Sequence, residues 1–164
     1  MEQKQKVVVS VGGTNHCHYQ DRQELLAWIE SMNDKVRGII LDDNGQLLPT
    51  LPWEIIPPPS HIHVTICPGS ITRTISYGAP RGGQYDRLIW FGDSSLHGPQ
   101  VSKIAHDWAL CHDLVHCYCK ATLAAMQRLM ECEHENRLSE LFADKVAGII
   151  TGYSRERFYV ELGW

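Results

Sequence analysis

The heptapeptide CHDLVHC, Cys111 to Cys117, is the most informative stretch of this sequence. It lies within a segment from Val101 to about Met130 that contains no proline and no glycine, so the sequence predicts one long helix there. At about 100° per residue, His112 and His116 lie about 40° apart around this helix and one turn apart along it. Both imidazoles can therefore reach a single metal ion.

A second helix is predicted from Glu135 to about Ile150. One side of it is apolar and includes Leu138, Phe142 and Ile149. The opposite side combines two acidic residues with two small ones: Glu140, Asp144, Ala143 and Ala147. Like charges four residues apart repel slightly on a solvated helix, and a nearby cation would relieve that repulsion. The two alanines would let another helix come close enough for a carboxylate to complete a metal site.

The motif HDLVH followed by ELFAD resembles the gluzincin metallopeptidases, the thermolysin-like class, whose pattern is HExxH on one helix and ExxxD on the next. The resemblance covers roughly residues 101 to 150. It implies that His112, His116 and Glu140 bind a zinc ion. It also implies that Asp144 orients His112 by accepting its other ring N–H. Two imidazoles and one carboxylate leave a coordination position for water, as in catalytic zinc sites.

The sequence departs from the family pattern at Asp113, where the family has a glutamate as general base. The aspartate side chain is one methylene shorter, and a base must come within about 3 Å of the proton that it takes. In the implied mechanism Asp113 would take a proton from the attacking water and pass it to the leaving amine. Metal binding therefore follows more directly from this sequence than hydrolysis does.

The first half of the chain has short apolar segments separated by turns. Strands are predicted at Lys6–Val11, His61–Cys67 and Arg87–Phe91. Strict alternation in the second of these predicts a strand with one apolar face. An amphipathic helix is predicted at Gln23–Met32, with Asp21 as its N-terminal cap.

Two connections in this half have distinct turn signals. A β-hairpin is predicted where Val36–Leu41 and Gln46–Leu48 flank the dipeptide Asn44-Gly45, because both residues of an Asn-Gly turn can take positive φ. The glycine-rich segment Tyr77–Asp86 predicts a loop that could contact a substrate.

These elements predict an α+β fold in a single domain, residues 1–164. Residues 1–100 would be mostly strands and loops, and residues 101–152 would form the metal-binding helices. A small N-terminal sheet packed on C-terminal helices is also what a zincin-like fold would contain.

Composition excludes several classes of protein. The 164 residues have 15 basic side chains against 19 acidic ones and a net charge of -4, with the basic residues scattered, which argues against nucleic-acid binding. The sequence has no run of 18 apolar residues, and Val7–Val9 is too short for a signal-peptide core, so we expect a cytoplasmic protein without a membrane segment. Six cysteines, three of them in the helix predicted from Val101 to about Met130, are then expected to be reduced thiols.

Three other features have both functional and ordinary structural interpretations. His61 and His63 share one strand face and are expected to be solvent-facing polar residues rather than metal ligands. Tyr153 could donate to a developing oxyanion, but a half-buried aromatic is the expected role. The pair His106-Asp107, together with HDLVH and Asp144, resembles the HD-type phosphohydrolases, but that family is wholly helical and this chain has many predicted strands.

The sequence thus predicts a zinc metallopeptidase that acts on a peptide or protein substrate. The second hypothesis is a binding protein and not an enzyme, in which a zincin scaffold binds zinc without hydrolysis. The third is a metal-dependent phosphohydrolase. The sequence indicates no oligomeric state and no nucleotide cofactor.

Overall fold

The computed structural model describes the following parts of the chain: residues 7–13, 19, 21–40, 53–55, 59–68, 73–76, 87–93, 101–121 and 137–162. The strands in these parts are β1 (Val8–Gly13), β2 (Trp53–Ile55), β3 (His61–Pro68), β4 (Arg73–Ser76), β5 (Arg87–Asp93) and β6 (Cys119–Ala121). The helices are α1 (Arg22–Ile40), α2 (Lys103–His116), α3 (Arg137–Thr151) and α4 (Arg155–Leu162). The predicted α+β class is confirmed.

The main sheet has the strand order β1-β3-β5-β4. Its first three strands are parallel, and β4 pairs antiparallel with β5 at one edge. Parallel neighbours need a crossover connection, which α1 provides between β1 and β3. The three predicted strands correspond to β1, β3 and β5. As the alternation predicted, one face of the sheet is buried and apolar, with Val9, Ile62, Val64, Ile66, Ile89 and Phe91.

Helix α1 begins as predicted and ends later than predicted. The Oδ1 atom of Asp21 accepts the backbone N–H of Glu24 at 2.8 Å, so the cap is confirmed. The helix continues past Met32 to Ile40, because Val36 and Ile40 extend the buried stripe at a spacing of four residues.

The predicted strand at Val36–Leu41 is therefore wrong, and so is the hairpin that needed it. Residues 36 to 40 belong to α1. The Asn44-Gly45 turn and the strand Gln46–Leu48 lie outside the described residues, as does the loop Tyr77–Asp86.

Helix α2 ends at His116, well before the predicted end near Met130. The backbone then turns at Cys117 and Tyr118, and the Tyr118 hydroxyl donates to Asn33 of α1 at 2.5 Å. The next residues form β6, which pairs antiparallel with β2. Tertiary contacts thus override the helix propensity of the segment. Cys119 lies on a strand and not on the helix, and residues 122–136 lie outside the described ranges.

Helix α2 is packed between two parts of the fold. The sheet and α1 lie on one side of it, and α3 lies on the other. On the sheet side, the ring of Phe91 contacts Trp28 of α1 and His106 of α2, with ring centroids 5.5 and 5.3 Å apart. On the other side α2 packs extensively against α3, where Ala143 and Ala147 are fully buried. The small residues thus permit the close helix approach that the sequence predicted. Among the described helices, none has the length and apolar character to cross a membrane.

Gly13, the last residue of β1, has a backbone conformation and surroundings that suit only glycine. Its φ is +93°, and a Cβ atom there would lie 2.1 Å from the carbonyl oxygen of Ile66. We expect Gly13→Ala to lower the free energy of unfolding by about 2 kcal/mol or more, through backbone strain and steric conflict together. Urea denaturation monitored by circular dichroism measures this.

Gly38 is the matched control. It lies in α1 with nothing beyond its own stretch of helix within 4 Å of where its Cβ would be, so Gly38→Ala should stabilise the protein by about 0.5 to 1 kcal/mol. Equal effects at the two glycines would contradict the placement of Gly13.

Candidate metal centre

Two histidines of α2 lie side by side on the face that contacts α3. The Nε2 atoms of His112 and His116 are 3.3 Å apart, and the ring planes meet at 73°. Their positions one helical turn apart follow from the four-residue spacing. The side chain of His112 is 9% exposed and that of His116 is 17% exposed, so both rings are largely removed from water.

Glu140 of α3 places its carboxylate against both imidazoles. Its Oε2 atom lies 2.9 Å from His112 Nε2, and its Oε1 atom lies 2.9 Å from His116 Nε2. The ligand atoms of the three residues all lie within 4.8 Å of one another. Within the described ranges this is the one group of three metal-ligating side chains at such distances. The structure therefore brings together the three residues that the sequence singled out.

The separation of the two ring nitrogens matches that of neighbouring ligand atoms in a tetrahedral metal site. Zinc bonds of about 2.0 to 2.1 Å at the tetrahedral angle place neighbouring ligand atoms about 3.3 Å apart. The two nitrogens already have that separation, and the carboxylate would move back by a few tenths of an ångström. The side chain of Glu140 is 41% exposed, so solvent reaches the cluster from that side. A fourth ligand such as water has access.

Asp144 lies against the other edge of His112, and Arg155 donates to Asp144. The Oδ1 atom of Asp144 lies 2.7 Å from His112 Nδ1, an ion-pair contact rather than an aligned hydrogen bond. Arg155 donates to Asp144 Oδ2 from Nε at 2.8 Å, and to Glu140 Oε2 from Nη2 at 2.9 Å. Asp144 therefore lies where the resemblance implied, on the ring nitrogen opposite the one that faces Glu140.

The pKa values of the cluster follow from these contacts. Burial alone would lower the pKa of His112, but the carboxylates of Asp144 and Glu140 outweigh burial and raise it to about 9. Burial would raise the pKa of Glu140, but both imidazoles hold it well below its ordinary value. The pKa of Asp144 is also lowered, because His112 and Arg155 together outweigh its burial.

Asp113 is buried beside this cluster. It is 5% exposed, and its negative charge contributes to the raised pKa of His112. Its carboxylate is not part of the group of three ligand atoms. Asp113 is thus a neighbour of the site and not one of its ligands.

Other candidates from the sequence lie elsewhere. His106 packs against Phe91 on the sheet side of α2, away from α3, so the structure does not place it with the HDLVH histidines. The Tyr153 hydroxyl donates to Glu161 within the same part of the chain, and the residue is buried as an ordinary aromatic. These contacts offer no support for the phosphohydrolase interpretation or for Tyr153 as an oxyanion donor.

His61 and His63 share the outer face of the sheet, as the strand period predicted. The Ser10 hydroxyl lies 2.7 Å from His61 Nε2 and 2.7 Å from His63 Nδ1, and both rings are partly exposed. The pair is connected by this hydroxyl and has no third metal-ligating side chain among the described residues.

Sequence reasoning missed Arg155 and Trp108. The ring of Trp108 packs against His112 with centroids 5.4 Å apart, and the spacing of four residues on α2 was an available signal. Arg155 follows Glu140 by 15 residues and belongs to another helix, so only the tertiary structure brings it to the site.

Comparison with protein-family models, with curated proteins and with solved structures finds no match to this chain.

The raised pKa of His112 should make the stability of the metal-free protein depend on pH. A histidine whose pKa is about 9 when folded and about 6.5 when unfolded stabilises the fold below pH 6.5, and the effect is lost as the pH rises through 9. With EDTA present, the free energy of unfolding should fall by about 3 kcal/mol between pH 6 and pH 9. Urea denaturation at the two pH values measures the difference.

His112→Gln is the control, because it keeps a polar side chain and removes the titration. We expect this variant to lose most of the difference between the two pH values. A pH dependence identical to that of the wild type would show that His112 is not the titrating group.

Proposed function

We propose that this protein is a zinc-dependent metallopeptidase, with His112, His116 and Glu140 as zinc ligands and Asp113 as the general base. The observation that supports this most strongly is the Glu140 carboxylate, which lies 2.9 Å from each imidazole although it comes from a separate helix. A pair of histidines on one helix is weak evidence for a metal site, and a third ligand-type side chain in contact with both rings strengthens it.

The donor set favours a catalytic site over a closed structural one. Structural zinc sites have four protein ligands, commonly cysteines, whereas catalytic sites have three protein ligands and one exchangeable position. Here two nitrogens and one carboxylate are present, and the side with Glu140 is open to solvent. A bound zinc ion would lower the pKa of a water ligand and polarise a substrate carbonyl.

The residues of this chain would then perform the proton transfers. Asp113 would take the proton from the attacking water and donate it to the leaving amine. Asp144 would keep the Nδ1 atom of His112 protonated, so that Nε2 has its lone pair free for the metal. The peptide or protein substrate would approach from the exposed side of Glu140.

A zinc-binding protein without hydrolysis is the second candidate, and the observation that favours it is the aspartate at position 113. Its side chain is one methylene shorter than glutamate, so it reaches less far from α2 toward a water in the site. In either case Cys111 and Cys117, both buried, form no disulfide within the part of the chain that the structure describes, which suits the cytoplasmic location that we propose.

Substitution at Asp113 separates these two functions. With fluorescein-labelled casein as substrate, we expect Asp113→Ala to lower kcat/KM by about 10²- to 10⁴-fold, because general base catalysis is lost. Asp113→Glu should retain or increase the rate, because its carboxylate reaches further. EDTA should abolish the wild-type activity, and zinc should restore it.

Zinc content is the control for these variants. Both should keep the zinc stoichiometry of the wild type, since Asp113 is not a ligand. If the wild type binds zinc but neither it nor Asp113→Glu hydrolyses casein, the non-catalytic function would be favoured. Activity unchanged in Asp113→Ala would refute Asp113 as the base.

A further inference from the structure

The guanidinium of Arg155 makes four hydrogen bonds to three side chains at the candidate metal site. It donates to Asp144 twice, from Nε to Oδ2 at 2.8 Å and from Nη2 to Oδ1 at 3.0 Å. Nη2 also donates to Glu140 Oε2 at 2.9 Å, and Nη1 donates to the Tyr159 hydroxyl at 2.8 Å. A single side chain thus fixes both carboxylates of α3 that face His112.

Aromatic rings fix the guanidinium itself. Its Cζ atom lies 5.6 Å from the centroid of the Trp108 ring and 5.8 Å from that of the Tyr159 ring. Trp108 also packs against His112 on α2. The same aromatic residue therefore aligns the imidazole and the guanidinium, while Tyr159 anchors the guanidinium from α4.

Two polar connections lead from Arg155 to the candidate ligand atoms. One passes through Asp144 to His112 Nδ1, and the other goes directly to the Glu140 carboxylate. Only a planar, forked guanidinium makes both connections at once, because a lysine ammonium cannot donate in parallel to two oxygens of one carboxylate and reach a second carboxylate.

Arg155 has two opposing effects on metal binding. Its charge repels a cation, whereas its hydrogen bonds hold the carboxylates in place. The Arg155 side chain is 32% exposed, which screens its repulsion of a nearby cation. Its hydrogen bonds restrain two side chains that would otherwise sample many rotamers, and loss of outer-sphere partners commonly weakens metal binding by about 10- to 100-fold. We therefore expect the restraint to outweigh the repulsion.

We propose that Arg155 is a positioning residue of the zinc site, which fixes Glu140 and Asp144 in the arrangement that binds the metal. This inference rests on the proposed zinc site of His112, His116 and Glu140.

The test measures zinc affinity by competition with a fluorescent chelator in Arg155→Lys and Arg155→Met. We expect both variants to bind zinc about 10-fold or more weakly than the wild type, and the absorption spectrum of bound Co²⁺ to change in both. Arg157→Met is the matched control, since Arg157 lies on the same helix and contacts the Tyr153 ring instead. It should bind zinc as the wild type does.

The proposal is overturned if both variants bind zinc as tightly as the wild type or more tightly, even if their free energy of unfolding falls. Weak binding in Arg155→Met with normal binding in Arg155→Lys would also overturn it, because charge and not the fork would then be responsible. If Arg155→Met does not fold, Arg155→Lys decides alone. A wild-type chain that binds no zinc would refute the proposed function and this inference with it.

Discussion

The carboxylate of Glu140 connects two helices by contacting both histidines of α2 from α3. It bridges His112 and His116 across the α2–α3 interface, at 2.9 Å from each ring. Buried imidazoles and carboxylates are costly to desolvate unless they are paired, so this contact restricts how the helices can pack. Ala143 and Ala147, both fully buried, allow the approach that the contact requires. The geometry of the candidate metal site and the packing of the helices therefore depend on each other.

The fold could be predicted from the sequence where hydrophobic periodicity was unambiguous. The alternation from His61 to Cys67 gave the central strand and its buried face, and Asp21 marked the start of α1. Prediction failed where local and tertiary signals compete. The Asn44-Gly45 turn signal suggested a strand at Val36–Leu41, although Val36 and Ile40 continue the buried stripe of α1. Nothing local marks the end of α2 at His116, because the hydrogen bond of Tyr118 to α1 and the pairing of β6 come from distant parts of the chain.

The candidate site was more accessible to sequence reasoning than the fold around it. His112, His116, Glu140 and Asp144 follow from helical spacing and from the resemblance to gluzincins, since each pair lies one turn apart on its own helix. Arg155 had no such signal, because it reaches the site only after the turn that follows α3. Sequence patterns thus indicate which side chains share a helix face, whereas the partners that position them come from tertiary structure.

A crystal structure of the protein grown with zinc, with anomalous diffraction measured at the zinc absorption edge, tests the central claim most directly. We expect one zinc atom per chain, within about 2.0 to 2.2 Å of Nε2 of His112, Nε2 of His116 and a carboxylate oxygen of Glu140. An ordered α2–α3 pair without an anomalous peak between the helices would contradict the claim. A Glu140 side chain that points into solvent, far from both imidazoles, would contradict it as well.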